Sequence, residues 1–161
     1  MSTIHYNQKT TSTAEQFIAG LTDFGPGREE LFGKSADSYL KVHGRGPHQA
    51  DVTEGSGGVW ERLHYDWSDS DRVVLTVTDS NTWGGHSGYT YTITPRPDGT
   101  TDVDVVNVRE GKNLKGRVLA FVLGTVGKRV LVNEFGKTIN AIETRDSTER
   151  PADSAVAVAM C

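Results

Sequence analysis

Glu61 is a carboxylate in an apolar setting. From Val59 the chain alternates, so Val59, Glu61, Leu63, Tyr65 and Trp67 share one face of a strand, and Trp60, Arg62, His64 and Asp66 the other. The first face is mostly apolar and is expected to point inward, with Glu61 its odd member. A buried carboxylate without a partner has its pKa raised, which is how a general acid or base is made. The competing reading places Glu61 at a sheet edge or in a pair with a strand neighbour. Arg109 offers the complementary chemistry. A guanidinium can hold a ligand carboxylate or a carbonyl that becomes an enolate, unless it is a surface arginine paired to Asp102 or Glu110.

Other candidates surround these two. Tyr89, Tyr91 and Ile93 alternate with three threonines, and their phenols are the polar handles an amphipathic ligand needs. Val103, Val105, Asn107 and Arg109 share a face of the next strand. The loop Asp79 to His86 is long for a hairpin link, hinged by Gly84 and Gly85, and carries Asn81 and Trp83. It is the candidate mouth of a pocket, although Trp83 could equally cover one end of a core. The five histidines show no helical ligand spacing, and no cysteine is near enough in sequence to join them, so no metal is expected. Gly25-Pro26-Gly27 lacks the βαβ unit and following lysine of a phosphate loop, and no cofactor is expected.

Several elements must position these residues. Thr3 to Thr11 alternates as a first strand. Ser12 and Glu15 have the spacing of a capping box ahead of Phe17, Ile18 and Leu21. Arg28 to Phe32 follows as a second short helix, with Pro26 near its start and Gly33 as its C-cap. From Asp37 the period drops to two. The expected strands are Ser38–His43, Gln49–Thr53, Val59–Trp67, Arg72–Thr78, Ser87–Pro95 and Thr101–Arg109, with Glu54 to Gly58 read as a flexible turn. The links are too short for parallel crossovers, so the sheet is an antiparallel meander.

Asn113 to Arg145 then reads as one long helix capped by Asn113, about 50 Å long at ~1.5 Å per residue. Its apolar face rotates between Val118–Val126 and Leu131–Ile142, and the change falls at Gly124 and Gly127, where a bend is expected. Such a bend would let the first half cover a pocket mouth, with Val118 and Val122 in the pocket wall. Val118 to Leu123 is apolar nearly all round, which makes the Val118–Val126 region a candidate homodimer surface.

At 161 residues the chain suits one domain with one core, read as residues 1–145, followed by a small, polar, alanine-rich tail over 146–161 that is expected to be mobile. A net charge of −4 and a pI near 5.7, with no basic stripe in view, argue against a nucleic-acid partner. The longest apolar run is too short to span a bilayer, and no integral membrane segment is expected. The first ten residues lack the apolar core of a signal peptide, and the only cysteine is Cys161. Both fit a reducing cytoplasm.

The element order, together with Trp60 to Trp67, Asp71 to Leu75, Ile93 to Thr100, Leu114 to Arg117 and Glu143, resembles the START-like (SRPBCC) superfamily, in its bacterial polyketide cyclase/dehydrase-like branch. The resemblance implies an α+β helix-grip fold, a curved antiparallel sheet of about seven strands wrapped around a long C-terminal helix, with two short helices after the first strand. It also implies a cavity for a hydrophobic or amphipathic small molecule such as a lipid or polyketide. On that reading Leu63, Tyr65, Trp67, Asn81, Trp83, Tyr89, Tyr91, Asn107, Val118 and Val122 contact the ligand. If the protein is a cyclase or dehydratase, Glu61 and Arg109 carry the reaction. A third reading is a protein-interaction module built on the apolar helix surface.

Overall fold

The computed structural model describes residues 1–32 and 39–149. Strand β1 (Ser2–Thr10) is followed by helices α1 (Ala14–Leu21) and α2 (Arg28–Phe32). Strands β2 (Tyr39–Arg45), β3 (Gln49–Ser56), β4 (Val59–Asp69), β5 (Arg72–Ser80), β6 (Gly88–Pro95) and β7 (Thr101–Arg109) come next. They form one antiparallel seven-stranded sheet in the order β1-β7-β6-β5-β4-β3-β2, so the first strand closes against the last. Register shifts at Val42/Gly44, Arg62/Leu63 and Asp66/Asp69 place bulges in β2–β5, and bulges bend and twist the strands that carry them. A long helix then crosses the concave face. It runs as α3 (Leu114–Val122), one turn of π-helix (Leu123–Gly127) and α4 (Lys128–Glu149). No helix among the described residues is long and apolar enough to cross a membrane.

The core lies between the sheet and α4. Tyr65, Val73, Tyr91, Ile93, Val103 and Val105 come from the strands, Phe17 and Leu21 from α1, and Phe135, Ile139 and Ile142 from α4. Alternation fixed which strand residues point inward. Helix α1 packs closely on α4 because of Gly20, where an added Cβ would sit 2.9 Å from Ile142 Cγ1.

Three local expectations are corrected. The capping box at α1 is Thr13 with Gln16, one residue beyond Ser12–Glu15. Ser12 Oγ instead donates to Asp146 Oδ2 at 2.6 Å, which removes it from capping. Strand β3 runs on to Ser56, so Glu54 belongs to a strand and not to a turn. The long helix continues past Arg145 to Glu149. Gly33, Ser38 and the tail from Arg150 onward lie outside the described residues.

Candidate functional site

The concave face of the sheet and α4 enclose a cavity of about 230 Å³. Leu63, Tyr65, Leu75, Tyr89 and Tyr91 line it from β4, β5 and β6. Leu131, Phe135 and Thr138 line it from α4, and Tyr6 from β1. Half-buried Ser56, Val59 and Glu134 line its outer end, between the β3–β4 turn and α4. Two glutamates reach the wall side by side, because Glu54 of β3 and Glu61 of β4 are direct cross-strand partners on the inward face.

Each glutamate has an arginine behind it. Arg28, at the start of α2, donates from Nε to Glu54 Oε1 at 2.8 Å and from Nη1 to the carbonyls of Leu21 at 3.1 Å and Asp23 at 2.7 Å. Its Nη2 donates to Tyr65 Oη at 3.0 Å, and that hydroxyl donates to Glu54 Oε2 at 3.1 Å. The guanidinium also lies over the rings of Phe24 and Phe32, 4.6 and 4.3 Å from their centroids. On the other side, Arg109 Nη1 sits 2.8 Å from Glu61 Oε1. This is an ion pair by distance, but the Nη1 hydrogens are not aligned on the carboxylate, so the atom has no hydrogen-bond partner among the described residues. Arg109 is held between Tyr89 and Trp83, 4.3 and 5.0 Å from their centroids.

Burial keeps the phenols protonated. Loss of solvent raises the Tyr65 hydroxyl well above its ordinary value, and the Glu54 carboxylate raises it further, outweighing Arg28. Tyr91 is raised well above its ordinary value, again mainly by burial. Tyr6 is pushed up to about 12 by burial, against the opposing pull of Arg109. The wall therefore presents phenolic donors and carboxylate acceptors, and no basic side chain among the described residues lines it.

Of the predicted residues, Glu61, Leu63, Tyr65, Tyr89 and Tyr91 come together in this wall. Asn107, Arg109 and Trp83 are buried behind it and do not line it. Asn107 Oδ1 is buried without a hydrogen-bond partner among the described residues. Trp67 lies at the other end of β4, beside His48 and Ser68. Asn81 is occupied structurally, accepting from Trp60 N–H at 3.1 Å and donating to the Gly58 carbonyl at 2.9 Å.

Two expectations fail. The 79–86 loop is not a pocket mouth, because Thr82 O accepts from Lys112 N–H, Gly84 N–H donates to Glu110 O, and Trp83 is only 5% exposed. Trp83 covers an end of the core. Val118 and Val122 are not in the pocket wall but are 56% and 42% exposed. The cause is the rotation of α3. Gly116 packs against the Thr82 carbonyl, and Gly116 and Ala120 are the buried positions. At ~100° per residue, Val118 and Val122 then point roughly 200° away from them, into solvent. Sequence reasoning missed Arg28 and Glu54. Glu54 was within reach, since Ala50, Val52 and Glu54 continue the inward alternation of β3.

Comparison with solved structures bears on the fold. An aromatase/cyclase, Zhui, from Streptomyces sp. R1128 superposes with a TM-score of 0.67 at 10% identity, over 94% of this chain and 97% of that one. A START superfamily protein from Mycobacterium smegmatis gives 0.60 at 14% identity, over 90% and 97%. This is the START-like helix-grip fold. A Thermus thermophilus protein shares it, with a TM-score of 0.66 at 12% identity over 92% and 99%. No protein-family model and no curated protein sequence matches this chain. Identities this low carry the START-like fold and not the chemistry of any one neighbour.

Proposed function

We propose that this START-like protein binds a small hydrophobic or amphipathic molecule in the cavity between the sheet and α4. The observation that supports this most is the cavity itself, apolar in its body and edged by phenols and two adjacent carboxylates. Its size sets the scale of the ligand. A cavity of ~150 Å³ accepts benzene, and drug-sized ligands occupy ~300–1,000 Å³. About 230 Å³ suits a body of one or two rings. The ligand's polar end should donate hydrogen bonds, because the lining offers carboxylates and, among the described residues, no cation. A free carboxylate on the ligand would meet like charge.

Mass spectrometry of small molecules released from the natively purified protein would name the ligand class. A direct test uses 2-naphthol as probe, with Leu75→Trp to fill the cavity. Binding should be lost while the circular dichroism spectrum is kept. Unchanged naphthol affinity in a folded, filled variant would refute the cavity as the site.

A second reading, an aromatase/cyclase-like enzyme, draws on the Tyr65 hydroxyl and Glu54 carboxylate, 3.1 Å apart in the wall. There the Tyr65 proton would turn from Glu54 to a substrate carbonyl, and Glu61, beside Glu54 in the wall, would take the proton that the substrate loses. Arg109, neutralised by Glu61 and behind the wall, would act by holding Glu61 in place. Turnover of an aromatisable β-carbonyl substrate that Glu61→Gln abolishes, with naphthol binding retained, would favour this reading over simple binding.

A further inference from the structure

The first half of the long helix leaves an apolar face uncovered. Leu114, Val118, Phe121, Val122, Val126 and Val130 are all exposed, Phe121 at 71%. Leu114, Val118, Val122, Val126 and Val130 fall four residues apart and Phe121 three beyond Val118, the repeats of one helix face. In an unbroken α-helix a four-residue step drifts by about 40°. The looser π turn at Leu123–Gly127 turns against that drift, so Val126 and Val130 stay on the side of Val118 and Val122.

The charge around this face is one-sided. From Gly111 to Asn133 there is no Asp or Glu, in a chain whose net charge is −4. Lys115, Arg117, Lys128 and Arg129 are exposed and form no ion pair among the described residues, whereas Lys112 is taken by Asp79. At ~100° per residue, Lys115 and Arg117 flank the apolar face of α3, roughly 80° to either side, and Arg129 stands about 100° from Val130, whereas Lys128 stands about 200° from both Val126 and Val130 and points away from the face. Long cationic side chains so placed lay their stems beside an apolar face and reach out with their charges.

We propose that this face docks on an anionic lipid surface, with Val118, Phe121 and Val122 entering the acyl boundary and Lys115, Arg117 and Arg129 meeting lipid phosphates. Charge selects this occupant. A second copy packed face to face would set three unpaired cations against three more, and Glu110, which lines a groove with Arg117 and Phe121, would leave most of that charge unanswered. A nucleic acid would leave the apolar centre unmatched. The inference is independent of what the cavity holds.

The test is co-sedimentation of the full chain with vesicles of phosphatidylcholine, and of phosphatidylcholine mixed with phosphatidylglycerol. Binding to the mixed vesicles should be about tenfold or more the stronger. Removing the apolar contacts with Val118→Ser and Phe121→Ser together should weaken it about tenfold or more. Each of Lys115→Gln and Arg129→Gln should cost about fivefold. All four positions are exposed, so the fold should hold, which circular dichroism checks. No binding, or equal binding to both vesicle types, would overturn the proposal. So would a concentration-dependent dimer that the Val118→Ser/Phe121→Ser variant abolishes, since the face would then be a self-interface.

Discussion

Arg28 and Glu54 carry opposite charges where little water reaches them, with side chains 3% and 16% exposed. Such a pair need not add net stability, but removing one partner leaves a charge that nothing answers, at a cost of ~3–5 kcal/mol. Arg28→Met should therefore destabilise the protein by about that much in urea unfolding. Adding Glu54→Gln should recover a large part of the loss, because the stranded charge goes with it. A double variant no more stable than the single would show that Arg28 acts through its carbonyl and ring contacts instead. Tyr6 gives a pH prediction. Its phenol rises from 10.0 to about 12 on folding, so the native state favours the neutral form. That stability is fully present below pH 10 and is lost as pH rises from 10 through about 12. Melting temperature should fall across that window, and Tyr6→Phe should flatten the fall.

At the scale of elements, the long helix changes character where the glycines lie. Thr125 Oγ1 donates back to the carbonyls of Phe121 and Val122, at 3.0 and 3.2 Å, satisfying acceptors that the π turn displaces. An added Cβ at Gly127 would lie 2.8 Å from Leu123 Cδ2, and one at Gly124 would meet Ser2 Oγ. Both neighbours are movable ends of side chains. Alanine's helix preference, ~0.8–1.0 kcal/mol per site, therefore opposes an overpacking cost near the low end of ~1–3 kcal/mol. Gly124→Ala with Gly127→Ala should change stability by no more than about 1–2 kcal/mol. Naphthol affinity should stay unchanged, because the cavity wall comes from α4 and not from α3. A large loss of affinity without loss of stability would restore a hinge role for the two glycines.

Across the whole molecule, the far end of α4 ties the helix to the start of the chain. Glu143 Oε1 accepts from the Thr10 hydroxyl and the Thr11 N–H, each at 2.7 Å, and Thr10 is buried. Ser12 Oγ donates to Asp146, and Arg145 Nη1 to Asp23 at 2.6 Å. Burial raises the Asp23 carboxyl, but the Gly25 N–H and Arg145 outweigh it and hold the group below its usual range. These contacts fix α4 over the β1–α1 corner, and hence the distance between α4 and the sheet that forms the cavity. Glu143→Ala should cost about 1–3 kcal/mol by stranding the buried Thr10 hydroxyl. Glu143→Gln, which keeps an acceptor oxygen, should cost clearly less, and equal losses in the two would discount the hydrogen bonds.

Alternation alone placed Glu61, Leu63 and Tyr65 on one face, and Tyr89, Tyr91 and Ile93 on another. Side chains two apart on a strand must point the same way, whatever lies beyond. The strand–helix–meander–helix order and the irregular turn at Gly124–Gly127 were legible for equally local reasons, turn chemistry and the helix cost of glycine. The partners were not. Glu61 meets Arg109 only because β4 and β7 are brought into one sheet across β5 and β6, and Glu54 meets Arg28 only because α2 folds back onto β3. The inward face of α3 was also undecided, because its apolar residues run almost all round. The close seat of Gly116 on the Thr82 carbonyl fixed that rotation, turning Val118 and Val122 from a supposed pocket wall into an outer surface. A pattern of period two or 3.6 says which side chains stand together, but only contacts between distant segments say what they stand against.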